Sequence, residues 1–293
     1  MKLSDIVRKV LHEDAVDDKL TDLAKKFDAA SVEDYVTTLQ KYATDPKVAA
    51  VLKAGRTDVK GEPDEQFSVS NSTPEVKNLR PTQNEIGAAE SLKNILTDQY
   101  GSLDGFLKGK SSFPDPIIIY NNEYVIDGHH RWSQVYAANP DATIPALNIT
   151  GKLDPKQILK VVHAAIATDA GQTKTISANR SGGNLLTYTE ADVAKYVKEN
   201  LNDTAREVWA KYGFDSDEAI SRHISSNVRT MVEKSKPASW APTRDSMPQP
   251  GVSGADNWGK LMTQGTVNFD EPTKSDVKES VKHRLTKLAN IKK

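Results

Sequence analysis

The sequence has no cysteine among its 293 residues. This excludes disulfide bonds, thiolate metal ligands and a cysteine nucleophile. Aromatic residues are also scarce, at 6%, which indicates that parts of the chain are thinly packed. The net charge is only −1, so binding to nucleic acid would need a local basic patch rather than the charge of the whole protein.

Long apolar runs are absent as well. No stretch approaches the roughly 20 apolar residues that span a bilayer, and the first residues lack the apolar run of a signal peptide. The mean hydropathy is −0.57, in keeping with a soluble chain. We therefore expect a cytoplasmic protein with no membrane partner.

Both ends of the sequence are predicted to be helical additions to a central domain. In residues 1–56, apolar residues recur at helical spacing, beginning with Leu3, Ile6 and Val7. Residues 187–293 are predicted to contain helices to about residue 232, an extended stretch over 235–272 and a basic tail after 274. The tail suits nucleic acid, an anionic surface or a partner helix, or it docks on its own domain.

The central residues, 67–168, show the pattern of an α+β domain. A short strand is predicted at residues 67–69. Thr82 followed by Glu85 has the spacing of a capping box and predicts a helix towards residue 100. The apolar run 117–120, the Asn121-Asn122 turn and the return strand 123–126 predict a hairpin. A helix over 129–138, a strand over 144–149 and a helix after residue 154 complete the domain.

One segment concentrates groups that bind phosphate, namely Asp127-Gly128-His129-His130-Arg131. A strand that turns directly into a helix through Asp-Gly aims the first helical amides at one point, and the helix dipole adds positive charge there. Gly128 permits close approach of a ligand to the backbone, and arginine suits bidentate contact with phosphate oxygens. The histidines can donate hydrogen bonds or move protons. Asp127 can orient a histidine, coordinate Mg²⁺ or act as a base.

The hairpin and this junction together resemble the ParB/sulfiredoxin superfamily, and Leu79 to Gln83 is similar to that family's first strand. The resemblance covers about a third of the chain, residues 67–168. It implies a ParB/sulfiredoxin-like core with a helical N-terminal addition and a helical and extended C-terminal addition.

Three branches of that superfamily differ in chemistry. Sulfiredoxins need a catalytic cysteine where this chain has Gly128-His129, so sulfinic acid reduction is excluded. Chromosome-partition ParB proteins bind CTP through an arginine-rich turn, whereas only Arg131 is present here. The motif is most similar to that of free-serine kinases and related proteins, which implies that ATP or ADP phosphates bind at Gly128 to Arg131, with CTP as another possible nucleotide.

The resemblance also implies roles for individual residues. Arg131 and one of His129 and His130 would neutralise charge on the transferred phosphoryl group, Asp127 or Glu85 would act as base or Mg²⁺ ligand, and Gln83 would contact the nucleotide. We expect a phosphotransferase whose small-molecule acceptor is not readable from the sequence. The alternatives are a ParB-like DNA-binding protein or metal-dependent nuclease, or a non-catalytic assembly protein of the kind that phages encode, and a homo-oligomer is compatible with each.

Overall fold

The computed structural model describes residues 68–152, 154–156, 158–159, 162 and 182–244. The N-terminal helices predicted over 1–56, the basic tail and most of the extended stretch after 235 lie outside the described residues. What is described is an α+β fold with a five-stranded mixed sheet and six helices. The strands are β1 (Ser68–Ser72), β2 (Arg80–Pro81), β3 (Ile117–Tyr120), β4 (Tyr124–Asp127) and β5 (Ala146–Thr150).

The helices divide into two groups along the chain. Three lie within the sheet region: α1 (Ala88–Thr97), α2 (Leu103–Leu107) and α3 (His129–Ala138). Three follow it: α4 (Glu190–Asn200), α5 (Asp203–Ala210) and α6 (Asp217–Lys234). Short 3₁₀ helices occupy Val76–Asn78 and Leu185–Thr187.

The sheet order is β1-β5-β3-β4-β2. β3 pairs in parallel with β5 and antiparallel with β4, β4 pairs in parallel with β2, and β1 pairs antiparallel with β5. The central strand β3 is buried along its whole length, as expected from its unbroken apolar sequence. Its predicted hairpin with β4 is confirmed. Asn121 and Asn122 have φ values of 50° and 55°, the left-handed pair that a two-residue hairpin turn needs.

The predicted helix start at Thr82 is wrong. Helix α1 begins only at Ala88, and the Thr82 hydroxyl donates to the carbonyl of Val125 at 2.6 Å instead of capping a helix. The physical reason is tertiary, because Arg80 and Pro81 pair with β4 and the N–H of Thr82 also donates to Val125 of that strand at 3.3 Å. Local capping chemistry was outweighed by strand pairing.

Helices α4 to α6 share the core of the sheet domain. Val193, Trp209 and Ile220 belong to the same buried cluster as Ile117 and Trp132. Helix α6 packs on both α3 and α4. Helix α6 therefore covers α3, the helix that begins at the predicted phosphate-binding motif.

Candidate phosphate-binding site

The β4–α3 junction requires glycine at position 128. Gly128 has a φ of +91°, in the left-handed region, and it is the N-cap residue of α3. A Cβ at this position would lie 2.5 Å from Cγ2 of Ile117 and 3.1 Å from Nη2 of Arg131. Both the backbone conformation and the packing therefore exclude a larger side chain, and strand β4 passes directly into helix α3.

The start of α3 is also electrostatically unusual. No side chain caps it and its first turn contains no acidic residue. The other five helices of the described residues each have an acidic residue in the first turn, and α4, α5 and α6 are also capped by Thr189, Asn202 and Ser216. Among the six described helices, α3 is thus the one whose N-terminal partial positive charge is not offset by an acidic residue in its own first turn.

Arg131 extends from the first turn of α3 back towards β3 and β4. Its Nη1 donates to the carbonyls of Asp115 and Pro116, the latter at 3.2 Å. Its Nη2 lies 3.6 Å from the carboxylate of Asp127, and the two side chains are 20% and 30% exposed. Because a guanidinium has five donors, these contacts orient Arg131 while leaving N–H groups for a further acceptor.

His129 is almost fully buried, at 5% exposure. Its Nε2 accepts a hydrogen bond from the backbone N–H of Thr82 at 3.2 Å, which places the ring proton on Nδ1. Burial lowers the pKa of His129 to about 3, and the neighbouring basic groups His130 and Arg244 act in the same direction. The ring is therefore neutral near pH 7, and its hydrogen bond with Thr82 links the residue after β2 to α3.

His130 connects the starts of two helices. Its Nε2 accepts from the backbone N–H of Gly87 at 3.2 Å, and Gly87 is the N-cap of α1. The carboxylate of Glu90 lies at the start of α1 as well, since a Cβ on Gly87 would be 2.1 Å from its Oε2. The start of α1 thus has an acidic side chain of its own first turn beside it, whereas the first turn of α3 has none and the carboxylate of Asp127, just before α3, faces Arg131.

Glu85 and Gln83 lie on the loop between β2 and α1. Gln83 is buried and its side-chain amide donates to the carbonyl of Glu85, so it shapes this loop from within. The Glu85 carboxylate accepts the backbone N–H of Arg244 at 3.2 Å. The loop is linked to α3 by the Thr82–His129 hydrogen bond. The predicted site residues therefore come from two segments, β4–α3 and the 82–87 loop, and that loop is also bonded to residues 241–244.

Sequence reasoning missed Asn184, which ties another segment to the same loop. Its Oδ1 accepts from the N–H groups of Ile86 at 3.0 Å and Leu186 at 3.1 Å, and its Nδ2 donates to the carbonyl of Asn84 at 3.3 Å. The preceding Gly183 accepts the first amide of α1, that of Ala88, at 3.0 Å. A lone asparagine in a polar stretch carried no signal of these contacts.

Metal binding by protein side chains alone has little support in the described part of the chain. Nowhere in it do three or more His, Asp or Glu side chains form a group able to hold a cation. Asp127 offers one carboxylate beside the start of α3. That suits Mg²⁺ in the form in which nucleotides carry it, held by phosphate oxygens and one or two carboxylates.

A separate cavity of about 590 Å³ lies between the start of α4 and helix α6. Its lining includes Tyr188, Glu190, Arg222 and Arg229, and it contains none of the residues predicted for the phosphate site. Volume alone does not make it the functional site, because the predicted motif residues lie elsewhere.

No helix of the described residues is long and apolar enough to cross a membrane. Comparisons with protein-family models, with curated proteins and with solved structures find no match to this chain.

Proposed function

We propose that this protein binds the phosphates of ATP or ADP at the start of α3 and transfers a phosphoryl group to a hydroxyl-bearing small molecule. The proposal includes a core of ParB/sulfiredoxin type, with the free-serine-kinase branch as the most similar one by motif. The observation that carries it is the start of α3, where uncapped amides, a left-handed Gly128 and the guanidinium of Arg131 occur together.

Each of these features favours an anion for a separate reason. Free N–H groups at a helix start lack acceptors, and the dipole favours negative charge there. The left-handed conformation of Gly128 turns β4 directly into α3, so the first amides of the helix and Arg131 lie at one junction. Arg131 is already oriented by backbone carbonyls, so little side-chain entropy is lost when it binds. Phosphate has enough oxygens to accept hydrogen bonds from the helix amides and from Arg131 at the same time.

The histidines take supporting roles in this proposal. Neutral His129 holds the loop that carries Glu85, and Nε2 of His130 accepts a hydrogen bond from the backbone N–H of Gly87 at the start of α1. Asp127 is the carboxylate nearest to the start of α3 along the chain, and bound Mg²⁺ would join it to the phosphates. That cation would also neutralise charge on the transferred group.

The phosphoryl step itself is a displacement at phosphorus. The acceptor hydroxyl forms the new O–P bond as the bond between the β,γ-bridging oxygen and the γ-phosphorus breaks, and ADP leaves. The hydroxyl proton goes to a carboxylate. Asp127 and Glu85 are the candidates, and the one that does not hold Mg²⁺ takes the proton.

A matched pair of substitutions at His130 tests the anion site. His130→Gln keeps an acceptor for the N–H of Gly87, whereas His130→Glu keeps that acceptor and adds a negative charge to the first turn of α3. A charge about 5 Å from a bound phosphate costs about 3 kcal/mol at an effective dielectric constant near 20, so solvent screening still leaves a loss of at least about tenfold.

The measurement is calorimetric titration of ATP and ADP with Mg²⁺ into wild type and both variants, with thermal unfolding as the folding control. We expect His130→Gln to bind the nucleotide and His130→Glu to bind at least tenfold more weakly without a lower Tm. No binding to folded wild type, or equal binding by both variants, refutes the site. Nicking of plasmid DNA without nucleotide binding would instead support the nuclease alternative.

A further inference from the structure

Residues 241–244, here called the C-terminal strap, cross the loop that carries Glu85. The backbone N–H of Asn84 donates to the carbonyl of Pro242 at 2.9 Å, and the Asn84 side chain donates to the carbonyl of Ala241 at 2.9 Å. The backbone N–H of Arg244 donates to the Glu85 carboxylate at 3.2 Å. These contacts join segments almost 160 residues apart in sequence, so the strap is held in place by tertiary contacts.

The strap holds the backbone of Arg244 on a loop that is bonded to α3. Its anchor loop is itself bound to α3, because the N–H of Thr82 donates to Nε2 of His129. The backbone of Arg244 is therefore connected to His129, the first residue of α3, through the loop that carries Glu85 and Thr82. Its charge is also near enough to His129 to contribute to the lowered pKa of that ring.

The charges around the proposed phosphate site show why this cation matters. Asp127, Glu85 and Glu90 are acidic and lie beside the starts of α3 and α1, and Arg131 at the β4–α3 junction already faces Asp127. Among the described residues named here, the site without Arg244 has one arginine against three carboxylates. A phosphate with two or more negative charges needs further positive charge in such a place.

We propose that Arg244 is a second phosphate-contacting residue, brought to the start of α3 when the strap docks on the 82–85 loop. The inference rests on the proposed function and adds a binding residue to it. The strap would then form part of the nucleotide-binding site. Its guanidinium would contact phosphate while its backbone remains on Glu85.

Removal of the arginine tests the contact directly. Mg²⁺–ADP is titrated into wild type, Arg244→Ala and Arg244→Gln, with Arg222→Ala as control because Arg222 is an exposed arginine on the far cavity. A charge-assisted hydrogen bond to phosphate corresponds to about tenfold or more in affinity. We expect that loss for both Arg244 variants, and a change below about twofold for the control.

A double-mutant cycle tests delivery by the strap. Asn84→Ala removes the side-chain bond to Ala241 without touching Arg244, so we expect it to weaken ADP binding in wild type and to have no further effect in Arg244→Ala. An ADP affinity of Arg244→Ala and Arg244→Gln within about twofold of wild type overturns the inference and leaves the proposed function intact. An Asn84→Ala effect that is absent, or equal in both backgrounds, overturns delivery by the strap. No ADP binding to folded wild type refutes the proposed function and this inference with it.

Discussion

Gly128→Ala is the substitution whose effect follows most directly from the structure. Two separate penalties apply. An L-residue in a left-handed conformation costs about 1–2 kcal/mol, and the new methyl group would lie 2.5 Å from Cγ2 of Ile117, an overpacking that costs about 1–3 kcal/mol. We therefore expect Gly128→Ala to lower the free energy of unfolding by about 2–5 kcal/mol.

The protein contains a close control for this change. Gly109 also has a φ of +91°, but a Cβ there would have no atom within 4 Å, so Gly109→Ala carries the backbone penalty alone. Urea unfolding of both variants isolates the contact with Ile117. Ile117→Leu removes the offending Cγ2 and should recover part of the loss in a double variant. If the two alanine variants agree within about 0.5 kcal/mol, the packing argument is refuted.

Three further predictions concern the supports of the site. Because the pKa of His129 is lowered to about 3, its contribution to stability should be complete above about pH 6.5. Between pH 6.5 and pH 3 the free energy of unfolding should fall by at most about 1.4 kcal/mol per pH unit. His129→Gln should remove this slope, as measured by urea unfolding at each pH. Asn184→Ala should speed hydrogen exchange at the Ile86 amide, and an unchanged rate would contradict its role as that amide's acceptor. Thr189→Ala removes the hydroxyl that accepts from Asp192 N–H in the α4 capping box and should lower the free energy of unfolding by about 0.5–2 kcal/mol, measured by denaturant unfolding against wild type.

Patterns local in sequence predicted much of the sheet region. The hairpin of β3 and β4 followed from an apolar run and two asparagines, and helix α3 from its periodicity. Its bounds, 129–138, agree with the structure. The sheet ends at β5 and β1 were displaced by a few residues, since strand ends depend on the register of partners rather than on the strand's own residues.

The candidate site was predictable in part. The junction from Asp127 to Arg131 was visible because a strand, a glycine and a helix start follow one another in sequence. The orientation of its side chains was not, because His129 points into the fold to accept from Thr82, a residue 47 positions earlier. Glu85 was interpreted as a helix cap, yet its carboxylate accepts the backbone N–H of Arg244.

The sequence by itself determined which elements form, since apolar spacing, turn residues and the absence of cysteine act within a few residues or by composition. Only the tertiary structure decided which groups meet at the start of α3. Hydrogen bonds from Thr82, Gly87 and Arg244 reach that region across 43 to 159 residues, and no local pattern encodes such distant partners. The partners are chosen by where packed elements bring unpaired donors and acceptors together, because a buried polar group must find a partner wherever the fold offers one.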